Sequence, residues 1–195
     1  MNRKHLVGLA SLLAVAVFAV TAVAAQAEPH WYLNSNILVG KKTVKTRGAL
    51  SFSNLIPGTT IVVTCKVKDV EVLENPASGG AGVDLMKVFK VTGCGPNPCP
   101  VSSAGTQGAL KVTSLGLPWA TKLVEVPPIA DEIAGMKLVF SCKGTGVLVI
   151  LSGTLFPRVN PGFLEFNSPT TGTLGGVNVN GNDSFIPFGV SAKNP

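Results

Sequence analysis

Seven carboxylates in this chain are spaced so that a pair could meet across a cleft: Glu71, Glu74, Asp84, Glu125, Asp131, Glu132 and Glu165. Two carboxyl groups roughly 5–10 Å apart can cleave a glycosidic bond, one donating a proton while the other acts as base or nucleophile. Most of these acids sit beside turns or at outward strand positions, which predicts solvated surface for them. Histidine is scarce, with only His5 and His30. A metal site built from several histidines is therefore excluded, and a Ser–His–acid triad would rest on His30 alone. No Gly-x-Ser-x-Gly elbow occurs, and Gly79-Gly80-Ala81-Gly82 lacks the lysine and helix that a phosphate-cradling loop requires. No catalytic residue, metal or cofactor is assigned.

Four further side chains are candidate ligand contacts. Trp119 follows Gly116-Leu117-Pro118, so a turn would carry it; an exposed ring there could stack on a sugar, and a buried one would cap the core. Lys41, Lys45 and Arg47 share one face of an extended segment and could meet an anionic wall polymer or membrane surface. The same lysines would also protect a solvated edge strand from aggregation, which is the expected role.

The cysteines are Cys65, Cys94, Cys99 and Cys142. Four spacer residues, two of them proline, do not make a redox Cys-x-x-Cys site, and an even number in an exported chain points to disulfides. Three pairings are open. Turn-forming Gly95-Pro96-Asn97-Pro98 favours Cys94 with Cys99. That leaves Cys65 with Cys142, and both of these share a strand face with apolar neighbours.

Export itself is read from the N-terminus. Basic Asn2-Arg3-Lys4-His5 leads into an apolar run from Leu6 to Ala25, which closes on the small-x-small site Ala25-Gln26-Ala27. This order predicts a signal peptide over residues 1–27, with the chain from Glu28 to Pro195 released as one domain. The run is also long enough to span a bilayer, so retention as an anchor is the competing reading. Loss of Arg3 and Lys4 leaves 14 basic against 10 acidic residues, a net charge of +4. A nucleic-acid binder would cluster its cations more densely.

Beyond the signal the chain offers short Val-, Thr-, Ile- and Phe-rich runs separated by Gly, Pro and Asn, and no amphipathic helix. The fold class predicted is all-β, an antiparallel sandwich or partly open barrel. Val147–Leu151 lacks polar alternation and reads as a central strand. Residues 170–183 read as a flexible Gly/Thr/Asn-rich loop or hairpin, with Asn180-Gly181 as its turn.

The segments Pro29-His30-Trp31-Tyr32, Ile61-Val62-Val63-Thr64-Cys65-Lys66-Val67, Glu74-Asn75-Pro76, Gly79-Gly80-Ala81-Gly82, Cys94…Cys99-Pro100, Gly116-Leu117-Pro118-Trp119 and Leu164-Glu165-Phe166 follow one another here. In this the chain resembles a group of exported bacterial, actinobacterial-type proteins. The resemblance implies a secreted bacterial context and transfers no catalytic residue. The expectation is a secreted or envelope-associated, non-catalytic binding or structural module, with cell-wall or extracellular polysaccharide as its partner. The alternative is a secreted carbohydrate hydrolase using paired carboxylates.

Overall fold

A computed structural model describes residues 27–195, apart from positions 56, 57, 59, 60, 127 and 169 and the side chain of Val147. The signal segment to residue 26 and the turn prolines Pro57 and Pro127 lie outside the described residues. Among the described residues the chain forms fourteen strands and no helix. They are β1 His30–Leu33, β2 Asn36–Ile37, β3 Lys41–Ser53, β4 Val62–Glu74, β5 Val83–Gly95, β6 Leu110–Ser114, β7 Trp119–Val124, β8 Ala130–Cys142, β9 Gly146–Leu155, β10 Arg158–Asn160, β11 Phe163–Asn167, β12 Thr173–Leu174, β13 Val177–Ile186 and β14 Val190–Lys193. No described helix is long and apolar enough to cross a membrane.

Strand β4 shows why these segments pair as they do. Val63, Cys65, Val67, Asp69, Glu71 and Leu73 alternate inward, while Val62, Thr64, Lys66 and Lys68 are exposed on the outside. A period of two with one wet face is the pattern of an antiparallel wall. Eight strands close on themselves in the order β10-β11-β13-β3-β4-β5-β7-β8, every pair antiparallel, with Arg158 meeting Ala130 at the seam. Across the interior Phe52 of β3 meets Phe140 of β8 edge-on at 5.2 Å. Strands β6 and β9 also pair with β8, both alongside Leu138–Cys142. The all-β expectation of an antiparallel sandwich or barrel is thus met, by a closed barrel with a smaller sheet beside it.

A smaller sheet, β14-β1-β2, packs against the barrel. Its anchor is Trp31, fully buried and 6.1 Å edge-on from Phe185 of β13. Burying such a ring contributes on the order of 3 kcal/mol. Room for it comes from Gly82, where a Cβ would stand 2.7 Å from the indole. Asn75 fixes the strand: its amide oxygen accepts the Trp31 N–H at 2.8 Å, and its amide nitrogen donates to the carbonyls of Trp31 and Leu38 at 2.9 and 3.0 Å.

Three sequence expectations are corrected. Lys41–Arg47 does not lie on an edge strand, because β3 pairs with β4 along its whole length and with β13 from Lys45 to Ser53. Val147–Leu151 does not lie on a central strand covered on both faces. It belongs to β9, which among the described residues pairs only with β8 and leaves Ile150 52% exposed. Residues 170–183 do contain a hairpin, but its turn is not Asn180-Gly181: β12 and β13 pair across Gly175-Gly176, and Asn180-Gly181 sits inside β13, opposite Ser51 and Leu50.

Gly181 serves close approach instead of a turn. A Cβ on it would fall 2.0 Å from the Ala49 carbonyl oxygen, and one on Gly48 would fall 1.8 Å from that of Asn182. The obstruction is backbone on both sides, so neither strand can yield without breaking the ladder. Gly48→Ala is expected to cost roughly 3 kcal/mol or more in urea unfolding. A change below about 0.5 kcal/mol would mean that β3 and β13 are not this close.

Candidate functional site

The acids that sequence reading left on the surface divide in two. Glu74 and Glu132 are partly exposed and pair with Lys41 and Lys122, each at 3.3 Å. Glu125 is half-exposed and accepts from Asn194; Glu165 accepts from Asn160 at 3.1 Å. Glu71, Asp84 and Asp131 are instead buried inside the barrel, which corrects the expectation for them. Two acids that the sequence did not single out, Asp69 and Asp183, join them.

Register shows how these five form a belt. Asp183 of β13 faces Gly48 of β3; Thr46 of β3 faces Asp69 of β4; Asp84 of β5 faces Thr121 of β7; Asp131 on β8 comes next. Six consecutive strands of the barrel thus carry an inward carboxyl or hydroxyl. No lysine, arginine or histidine is among the buried side chains of the described residues.

An unpaired buried carboxylate is costly, so these groups hold protons instead. Burial raises Glu71 well above the usual range, and the carboxylates of Asp84, Asp131 and Asp183 push it further. Asp69 is raised by burial first, then by Glu71 and Asp183. Asp84 is raised by burial and then by Asp131. Burial pushes Asp131 up to about 7. Asp183 is raised by burial, while the Thr46 hydroxyl donates to Asp69. Burial thus raises all five, with neighbouring carboxyls among the causes that raise Asp69, Glu71 and Asp84 further. Both carboxyl oxygens of Glu71, Asp84, Asp131 and Asp183 are sealed from solvent. The belt can store protons, but it cannot touch a polymer outside the barrel.

The outer wall carries the opposite charge. Arg47, Lys68 and Lys90 stand directly opposite one another on β3, β4 and β5, all exposed. Lys45 and Lys66 flank the row on the same face. None of the five makes an ion pair among the described residues. Like charges placed opposite one another across a ladder destabilise it, so this row costs stability in the free protein. Lys45 and Arg47 are therefore brought together with cations that the sequence reading did not name, while Lys41 is drawn away by Glu74.

Beyond Lys90 the wall opens into a groove of about 650 Å³ between β5 and β6, lined by Lys87, Lys90, Lys111, Val112 and Thr113. The two strands form no ladder there. They are joined where the Ser114 hydroxyl donates to the Phe89 carbonyl at 2.6 Å.

Trp119 is not a ligand contact: it is 3% exposed, packs on Phe89 at 5.5 Å and donates its indole N–H to the Leu115 carbonyl at 2.9 Å. It caps the core.

All four cysteines form disulfides, but the pairing differs from the one expected: Cys65 bonds Cys94, and Cys99 bonds Cys142. The reason lies in β5, which extends through Cys94 to Gly95 and shifts register between the pairs Thr64↔Gly95 and Lys66↔Thr92. The shift puts Cys94 across from Cys65, with Cα atoms 4.0 Å apart. The proline loop then carries Cys99 over to the end of β8. Asn97 braces that loop, donating to the Gly108 carbonyl at 2.7 Å and accepting from the Cys99 N–H at 3.1 Å.

No protein-family model, curated protein or solved structure matches this chain.

Proposed function

We propose that the chain is an exported, non-catalytic β-barrel protein of the bacterial cell envelope or its surroundings, which binds envelope or extracellular polysaccharide through its outer wall. Export rests on the basic, apolar and small-residue order of Arg3 to Ala27, and the likeness to actinobacterial-type exported proteins points the same way. Two disulfides fit an oxidising compartment.

The observation that carries the binding reading is the sealing of the buried acids. Hydrolysis by two carboxylates needs them on either side of a bound sugar, roughly 5–10 Å apart. Here Asp84, Asp131, Asp69 and Asp183 are all buried behind the barrel wall, where no sugar can enter between them. The chemistry presented to solvent is cationic and hydrogen-bonding, which suits holding a polymer.

The test is to incubate the oxidised protein with a panel of cell-wall and extracellular polysaccharides, scoring retention by co-sedimentation and cleavage by new reducing ends. Retention by at least one polymer without new reducing ends is expected. Release of reducing ends would overturn the reading, as would failure to bind any polymer. Intact-mass analysis of the secreted form should place its N-terminus at Glu28.

A further inference from the structure

We infer that the outer wall of β13, β3, β4 and β5 is a binding site for an acidic polysaccharide, seated on Arg47, Lys68, Lys90 and Lys66. The inference rests on the polymer-binding reading above and names the class of polymer. Neighbouring strands are about 4.8 Å apart, so Arg47, Lys68 and Lys90 set three charges across roughly 10 Å of wall. A ligand bearing regularly spaced anions would relieve the mutual repulsion of this row, which the free protein leaves uncompensated.

The groups beside the row say what the anions are attached to. The next position along each strand gives Asn182, Ala49, Lys66 and Thr92 in one line, and the one after gives Asn180, Ser51 and Thr64 in another. Asn182, Lys66, Thr64 and Thr92 are exposed. Amides and hydroxyls next to cations match a chain that carries both hydroxyls and acid groups. The nearest outward acid along these lines is Glu165, separated from Lys66 by Asn182 and Ala49.

A bilayer is a poorer match. The line beside the row, Ile186, Lys45, Val70 and Val88, exposes Ile186 and Val88, two aliphatic side chains with no aromatic one among them to seat in a membrane interface. A single-stranded nucleic acid stacks on exposed aromatic platforms, and the aromatic side chains of these four strands, Phe52, Phe89 and Phe185, are buried.

The test uses polygalacturonate and its fully methyl-esterified form, which share a backbone and differ in charge. Anionic phosphatidylglycerol vesicles and oligo-dT serve as the other classes. The oxidised protein should bind polygalacturonate, bind the ester at least about tenfold more weakly, and lose affinity as salt rises. The double variant Lys68→Glu/Lys90→Glu should weaken binding on the order of a hundredfold, whereas Lys122→Glu, outside the wall, should leave it within about twofold. Thermal unfolding of each variant shows that it is folded.

Equal binding of the ester, or binding that survives charge reversal, overturns this site while leaving polymer binding intact. Preference for vesicles or oligo-dT overturns it in favour of those partners. Absence of binding to both polygalacturonate and the wider polysaccharide panel overturns the polymer-binding reading itself.

Discussion

The folded barrel is expected to be most stable in acid and to lose on the order of 4 kcal/mol or more between about pH 4 and about pH 8. This is opposite to the usual course, in which carboxylates paired with cations in the native state make a protein unfold in acid. The sign follows from the belt. All five carboxyls titrate higher in the folded chain than in the unfolded one, because they are buried from solvent and no lysine, arginine or histidine among the described residues is buried with them. Below the unfolded carboxylate range, near 4, both states are protonated and the belt opposes folding least. Above it the unfolded chain releases protons that the folded chain keeps, so each retained proton lowers stability by about 1.4 kcal/mol per pH unit. Asp131, pushed up to about 7, spans some three such units alone.

Urea unfolding at fixed ionic strength, followed by circular dichroism from pH 4 to pH 8, measures this directly. A midpoint that falls steadily with pH is expected. A plateau through neutrality would mean that the belt is hydrated or paired with a cation. Glu71→Gln is the sharpest control, since it keeps the shape and removes one titrating group. It should match the parent near pH 4 and exceed it near pH 8, with the slope reduced by about one proton. With a total stability of only about 5–15 kcal/mol for a domain this size, such a term decides whether the barrel persists.

Sequence reading reached the fold class through features that repeat, and missed the belt because it breaks the rule those features obey. The parity of Val63, Cys65 and Val67 was legible, and counting on by twos lands on Asp69 and Glu71. Glu71 is a candidate from the sequence but is assigned to the surface, and Asp69 is passed over, because acids are rarely buried. Asp183 was hidden differently, in a Gly- and Asn-rich stretch whose composition resembles a loop. There Gly181 and Gly48 let two backbones approach, a purpose visible only once β3 and β13 are side by side. Lys45 and Arg47 could be read as one face of a strand, but Lys68 and Lys90 join them through register between segments distant in sequence. Cysteine pairing failed for the same reason: a register shift in β5 moves Cys94 by one place, and a shift of one changes every partner.

The revised pairing carries the second large effect. Replacing Cys99 and Cys142 together by serine is expected to cost about 4 kcal/mol, because their bridge closes a separation of 43 residues in the unfolded chain. Replacing Cys65 and Cys94, whose separation is 29, should cost only a few tenths of a kcal/mol less on chain entropy. The consequences in the folded state are not equal. Cys65–Cys94 staples two strands whose ladder runs from Glu74↔Val83 to Thr64↔Gly95 and would hold their register without it. Cys99–Cys142 ties the proline loop to the end of β8, where Asn97 and Gln107 supply side-chain hydrogen bonds of the loop's own. Its loss should therefore release residues 96–107 to proteolysis, while loss of the other bridge should not. Thiol titration of the denatured variants separates the pairings cleanly. Cys65→Ser/Cys94→Ser should leave no free thiol, and Cys94→Ser/Cys99→Ser should leave the two thiols of Cys65 and Cys142. The reverse counts would restore the loop-closing bridge between Cys94 and Cys99, and with it a β5 that ends before Cys94.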